Sequence, residues 1–305
     1  MILCAGESLI DMVPQDGCFR PLAGGAVYNT AIALGRLGQL TGYLWPISRD
    51  PFGAQIVAPL DEAGVDTALC PRTDRLTTLA LVTLTNGEAR YSFYDEGSAG
   101  RMLRPEDVPA LPDSVSALFA GGISLVPDPC GATIEGLVAA HHHRLPVMID
   151  PNIRPFFITD PAAYRARLDR LLPMADIVKL SADDLEWLHP DLSPEEAARA
   201  VLATGPRLVL QTGGEAGAKA IWAGETVTVP AVRTTVADTI GAGDTFNAGV
   251  LASLDRQGLL TKEGIAGITP DQIRAALTLG AQAASVTVSR PGANPPWARE
   301  MPARD

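Results

Sequence analysis

Short apolar runs alternate along this chain with longer stretches in which apolar residues recur at helical spacing. Met1 to Gly6 predicts a strand ended by glycine, followed by a β-like stretch from Ser8 to Val13 and a turn at Pro14 to Gly17. After Gly24 and Gly25, the segment TAIALGRLG gathers its apolar residues on one helical face and stops at Gly38. The theme repeats with a strand near Gly42 to Pro46, a helix from Pro51 to Ala63, and GVDT turning into another strand. Between Thr77 and Tyr94 the pattern changes to two β-rich runs joined by Asn86 and Gly87, a pair that favours a tight hairpin turn and so an antiparallel unit. From Val115 onward SALFAGG, PVMIDPN, DIVKLS and RLVLQTGG read as strands, with helices at Ala132 to His141, Ala162 to Leu172 and Pro194 to Leu202. Asp244 to Val288 is mainly helical. Such alternation implies an α/β fold whose mostly parallel sheet is covered on both faces. No repeat or long linker divides the 305 residues. The chain is therefore read as one domain, 1–305, with a discontinuous β lid from about 9–23 and 75–100 that closes over a ligand at the strand ends.

Composition narrows the partners. With 47% apolar and 19% charged residues the chain buries a large core. A net charge of −11 and a pI near 4.8, with no dense Lys/Arg cluster, argue against nucleic acid. An anionic substrate then needs local help from backbone amides, a metal ion or placed arginines. Cys4, Cys18, Cys70 and Cys130 lack the close pairing of a zinc site and the density of a disulfide scaffold, so they read as reduced, mostly buried thiols. The N-terminus has neither the basic nor the long apolar segment of a leader, and no run is long enough to span a bilayer. The expectation is a cytoplasmic protein with no membrane partner.

The chemistry concentrates in Asp238, Thr239, Ile240, Gly241, Ala242, Gly243 and Asp244, followed at once by the helical run TFNAGVLASL. Two glycines and an alanine leading into a helix leave backbone N–H groups uncovered, and the helix end adds partial positive charge, so an anion fits there. Asp244 at the mouth of that cradle is badly placed to hold phosphate but well placed to accept a proton from an attacking hydroxyl. The plainer alternative is a glycine-rich turn with Asp244 as an ordinary helix cap. The run His141, His142, His143 reads as a solvated helix end, because adjacent histidines point in different directions and no carboxylate accompanies them.

DTIGAGDTF resembles the C-terminal signature of the ribokinase-like, or PfkB, carbohydrate kinases, and GGAVYN, Gly24 to Asn29, resembles that family's GG-x-x-x-N sugar-binding turn. The likeness runs from the opening AGESLID to the closing SRPGA. It implies a ribokinase-like three-layer α/β/α sandwich with a small β-sheet lid. It also implies ATP as phosphoryl donor, Mg²⁺, K⁺ as a candidate monovalent cation, and a small-molecule sugar as acceptor. By this resemblance Asp244 is the base and the amides of Gly241, Ala242 and Gly243 form the anion hole. Asp238 either helps hold the monovalent cation or is a turn former. Asp11, Gly24, Gly25, Asn29 and Phe93 meet the sugar together with Asp244; taken alone, Asn29 would read as a helix cap. Asp150 to Arg154 resembles the DPN-x-R stretch of fructokinase-like members, which makes Arg154 either a phosphate-steadying group or a surface salt bridge. Lys179 to Asp184 stands where the family has N-x-x-E, with Ser181 for the Asn and Asp184 for the Glu, a carboxylate that holds Mg²⁺ through water. Thr212, Gly214 and Gly217 match a T-x-G-x-x-G nucleotide loop, and Ser289 and Gly292 a loop beside the adenine. A frequent family asparagine in the preceding helix is Ala281 here, so adenine contacts run through backbone or water.

GESLIDMVP, RYSFYDEGSA, DPNIRP and KLSADDLEWL resemble fructokinases more than adenosine or ribose kinases, which implies fructose 6-phosphate as product. Many fructokinases place an arginine after the aromatic pair of the lid, whereas here Phe93 and Tyr94 precede Asp95. Sugar identity therefore stays open towards 2-keto-3-deoxygluconate kinase, where Arg101 or Arg90 would meet the acid, and towards other family kinases such as ribokinase or tagatose kinase. A Rossmann dehydrogenase would need G-x-G-x-x-G after its first strand, and AGESLID lacks it. A non-catalytic sugar-binding module has no use for a carboxylate inside an anion hole. Strand-rich lids with exposed edges pair between subunits, so a homodimer through the lid is expected.

Overall fold

The computed structural model describes residues 1–85 and 88–302, with backbone alone at 84–85 and 88–90. The turn expected at Asn86 and Gly87, and the side chain of Arg90, lie outside the described residues.

Strand β1 (Ile2–Ala5) is buried throughout, as an uninterrupted apolar run inside a parallel sheet must be. β2 (Leu9–Gln15) and β3 (Cys18–Gly24) form a hairpin closed by Asp16 and Gly17, both at positive φ, whose twist suits antiparallel strands. Helix α1 (Ala26–Arg36) leads to β4 (Thr41–Leu44) and β5 (Ile47–Ser48). Helix α2 (Pro51–Glu62) starts at Asp50, whose carboxylate accepts from the Gly53 N–H, with Pro51 in the first position. β6 (Arg72–Thr73), β7 (Leu79–Thr85) and β8 (Glu88–Tyr94) follow. The alternating half then runs β9 (Ala117–Gly121), α3 (Cys130–His141), β10 (Val147–Asp150), α4 (Pro161–Leu171), β11 (Ile177–Ser181), α5 (Ala182–Leu188), α6 (Pro194–Ala203) and β12 (Leu208–Thr212). It ends with β13 (Ala218–Trp222), β14 (Glu225–Val229), α7 (Ala242–Arg256), α8 (Lys262–Ala266) and α9 (Pro270–Val288).

The main sheet has the order β14-β13-β12-β11-β10-β9-β1-β4. Every neighbour from β4 to β12 is parallel, and β13 and β14 are antiparallel. β1, β4, β9 and β10 are buried on both faces. Helices α1, α7 and α9 pack together as one layer, while α3 with α4, and α5 with α6, supply the other. The product is the three-layer α/β/α sandwich of the ribokinase-like fold. From β1 the chain goes one way to β4 and the other way to β9, so the sheet has its switch point there and a crevice opens at the carboxyl ends of these strands. A second sheet, β3-β2-β7-β8, stands apart as the lid, and its central pair β2/β7 is parallel although both flanking pairs are antiparallel.

Two elements differ from the sequence pattern. The strand expected after GVDT is reduced to one bridge between Asp66 and Gly42 and the two-residue pair β5/β6. The apolar run there is only Ala68, Leu69 and Cys70, and it ends at Pro71, which has no N–H for a ladder. The β13/β14 hairpin was not expected; its Ala223 and Gly224 both take positive φ, and ETVTV alternates exposed and buried positions as an edge strand does. All four cysteines are free, with Cys18 exposed and the other three buried. Among the described residues no helix is long and apolar enough to cross a membrane.

Candidate active site

The amino end of α7 is set by Gly241, which caps the helix at φ 76°. A Cβ at that position would stand 2.8 Å from Ala293 Cβ, so only glycine both takes this left-handed conformation and lets the loop 291–293 approach. Asp244 is the third residue of α7 and is 6% exposed. Its Oδ2 accepts from Asn29 Nδ2 at 2.9 Å and its Oδ1 from Asn152 Nδ2 at 3.5 Å. Thr30 Oγ1 donates to the Asp244 carbonyl at 3.3 Å. The front and back of the chain therefore meet at this carboxylate. Of the three amides assigned to the anion cradle, Ala242 N–H donates to Thr239 O at 3.3 Å, while Gly241 and Gly243 have no backbone acceptor among the described residues.

Beneath the cradle lies a buried charge network that sequence reasoning did not single out. Lys179 Nζ pairs with Asp150 Oδ2 at 3.1 Å, both almost fully buried. Asn247 Nδ2 donates to the same oxygen at 2.7 Å, and the Asn152 N–H to Asp150 Oδ1 at 3.1 Å. A Cβ on Gly243 would come 3.2 Å from Lys179 Nζ, which puts the ammonium directly under the helix end. Burial alone would depress the Lys179 pKa, but Asp150 and Asp184 hold it above the ordinary lysine value, so it stays cationic. The available signal was a lysine in the middle of an apolar strand.

Burial pushes the Asp244 carboxyl up to about 7; the Asn29 hydrogen bond, Lys179 and Arg154 pull it down, and Asp150 adds to the rise. A general base works deprotonated, so with Asp244 in that proposed role activity is expected above about pH 7 and lost as pH falls through that value. The acid limb of kcat/KM is expected to have a midpoint near 7 and to fall about tenfold per pH unit below it. A profile measured in constant-ionic-strength buffers that stays flat to pH 5.5 would rule out this base.

The residues expected to meet the sugar lie on β2 and β3, at the start of α1 and on β8. Asp11 lies on β2, with Gly24 beside it leaving Asp11 Oδ2 uncovered, and burial pushes its carboxyl up to about 6. Gly25 caps α1 at φ 125°, where a Cβ would meet Glu7 O at 2.5 Å. Glu7, which the motif reading passed over, spans the switch point: it accepts from Ala26 N–H at 3.0 Å and from Ser124 N–H at 3.2 Å. Burial pushes its carboxyl up to about 7. Phe93 is half-buried in an aromatic group, edge-on to Phe157 with centroids 4.6 Å apart and stacked near Phe156 and Tyr91. Lid and post-β10 loop thus touch through rings.

The remaining expected residues fall at the strand ends, several already engaged. Ser181 and Asp184 form a capping box at α5, and Asp184 Oδ1 also accepts from Ile153 N–H at 2.7 Å. Thr212 closes β12 beside Ser181. The Gly217 amide donates to Gly214 O within a tight 3₁₀ turn, and the Ala216 amide to Gly213 O. The Gly292 amide is also taken, donating to Asp238 Oδ2 at 2.9 Å, while Asp238 Oδ1 accepts from Ile240 N–H at 3.0 Å. Asp238 thereby ties the two loops around the cradle. Ser289 Oγ donates to Val286 O. Arg154 is exposed, makes no ion pair among the described residues, and bonds only Ile153 O at 3.1 Å. Its positive charge helps to lower the Asp244 pKa.

Phosphoryl transfer to an alcohol needs a base beside bare amides and a pocket that holds the acceptor, and here one carboxylate joins both. This places the chain among phosphotransferases with an alcohol acceptor, in the ribokinase-like sugar-kinase class. Residues 1–299 match the pfkB family carbohydrate kinase. The chain is 46% identical over 279 residues to a fructokinase of Rhizobium leguminosarum bv. trifolii, covering 90% of this chain and 86% of that protein. It is 33% identical to a fructokinase of Klebsiella pneumoniae, covering 91% of each. The crystal structure of a fructokinase with bound ATP from Xylella fastidiosa superposes with a TM-score of 0.88 at 28% identity, covering 99% of this chain and 94% of that one. The chain belongs to the pfkB family of carbohydrate kinases.

Proposed function

We propose that this chain is a fructokinase that converts fructose and ATP to fructose 6-phosphate and ADP. The observation that carries the reading is the position of Asp244, buried at the amino end of α7 and held by Asn29 from the sugar-binding turn. A sugar hydroxyl beside Asp244 gives its proton to the carboxylate as its oxygen forms the new bond to phosphorus. The bond from that phosphorus to the bridging oxygen breaks, and the electron pair leaves with ADP. Charge on the transferred group falls on the Gly241 and Gly243 amides and on the positive end of α7, with Lys179 below and Arg154 beside it. The relatives' names and the ATP bound to the Xylella protein support donor and acceptor.

The residues present suit Mg²⁺ arriving with the nucleotide. Among the described residues no cluster of three His, Cys, Asp or Glu forms a cage, and Asp184 already accepts hydrogen bonds at both oxygens. Asp184 would hold the ion through water, and the ion would neutralise phosphate charge. Asp238, which ties the 238–244 loop to Gly292, is the residue proposed for a monovalent cation such as K⁺.

Turnover measured by coupled ADP release across fructose, ribose, tagatose and 2-keto-3-deoxygluconate is expected to give the highest kcat/KM for fructose. No turnover with fructose would remove the reading. The keto acid is the weaker alternative because Arg101, one of the two arginines offered for its carboxylate, is paired with Asp95 at 2.8 Å.

A further inference from the structure

The carboxyl end of α1 grips the loop that packs over the Gly241 turn. Arg36, the last residue of that helix, is half-buried and donates through Nη1 to Asn294 Oδ1 at 2.7 Å and to the Pro295 carbonyl at 2.9 Å. Its guanidinium also lies over the Trp297 ring, 5.1 Å from the centroid. Two acceptors and one aromatic face, all from residues 294–297, converge on a side chain 258 residues before Asn294.

The next residues back along this loop touch the cradle. Ala293 is the neighbour that leaves Gly241 no room for a Cβ, and the Gly292 N–H donates to Asp238 Oδ2 at 2.9 Å. Asn294 N–H closes back on Gly292 O at 2.9 Å, so 292–294 is a tight turn with little slack between its two attachments. One attachment is Asp238, on the approach to α7, and the other is Arg36. Gly241 itself takes φ 76° and has no side chain to hold its peptide in place, so the direction of its open amide depends on what packs against it. The helix that bears Arg36 also carries Asn29, about two turns earlier, whose amide holds Asp244. One rigid element therefore meets the proposed base near its start and the loop over the cradle at its end.

The geometry points to Arg36 as a positioning residue for the phosphate cradle. It acts through Asn294 and Pro295 on Ala293, and so on Gly241, rather than on the reacting atoms. Amides stabilise developing charge only at a fixed distance and direction, and a shift of a fraction of an ångström in the loop that packs on Gly241 is enough to lower transfer.

This inference rests on the fructokinase reading above. Its test compares wild type, Arg36→Met and Asn294→Ala by kcat, by KM for ATP and for fructose, and by MgATP affinity in equilibrium dialysis without sugar. Arg36→Met keeps the aliphatic stem and removes both hydrogen bonds; it is expected to lower kcat/KM for ATP roughly tenfold to a hundredfold, with KM for fructose within about twofold of wild type. Asn294→Ala removes one of the two bonds and leaves Arg36 in place, so it is expected to fold and to move the same parameter in the same direction by roughly threefold. A contact that only stabilises the fold would lower the thermal midpoint and leave the ATP parameters of the folded enzyme alone. Unchanged kcat/KM for ATP and unchanged MgATP affinity in the folded variants, or KM values for ATP and fructose that rise together, overturn the inference while wild-type turnover of fructose stands. A wild type that binds MgATP but turns over no fructose removes the function proposed above instead, and the dialysis comparison still decides the role of Arg36.

Discussion

Asp244→Asn is expected to lower kcat by about a thousandfold, while calorimetry still detects sugar binding. The substitution keeps the shape of the side chain and removes its ability to take a proton. It also leaves a specific scar. The carboxylate accepts from both Asn29 and Asn152, and an amide can present its oxygen to only one of those donors. A modest loss of sugar affinity should accompany the loss of rate, because Asn29 belongs to the proposed sugar turn. Asp244→Ala, which removes the clash as well as the base, should give the same loss of kcat. Turnover within tenfold of wild type in either variant would mean that another group takes the proton.

The largest effect on stability is expected at Lys179. Lys179→Met removes the cation and leaves Asp150 buried, still bonded to Asn247 but without its counter-charge. Breaking one side of a buried pair costs about 3–5 kcal/mol, more than removing both. The urea midpoint of Lys179→Met should therefore fall sharply, and the double variant Lys179→Met, Asp150→Asn should recover much of the loss. An additive double variant would show that the pair is not coupled. Activity of the single variant should fall too, since the ammonium sits under Gly243 and steadies the cradle.

How much of this could be read from the chain depends on the range of each signal. The parallel half of the sheet is legible because β9, β10, β11 and β12 are apolar runs bounded by helices, a local pattern. Asp244 is legible because the GAGD turn and the following helix carry their meaning within a few residues. The β13/β14 hairpin escaped because AKAIWAGETVTV lacks the Asn-Gly or Asp-Gly turn that marks such units, its Ala223 taking positive φ instead. Glu7 and Lys179 escaped for a different reason. Each looks like a lone charge in an apolar stretch until its partners Ser124 and Asp150 arrive from distant parts of the chain. The nucleotide loop is legible as a glycine turn, but which of its amides stay open is not, since the turn itself engages the amide of Gly217.

The bond between Asn29 and Asp244 joins positions 215 residues apart, and it has a consequence for biosynthesis. A nascent chain that has emerged only as far as β12 already carries Asn29 and the strand ends, but neither Asp244, the proposed proton acceptor, nor helix α7. On the proposed roles such a chain would be unable to spend nucleotide on the ribosome, and transfer would begin only after α7 has emerged and docked against the sugar turn.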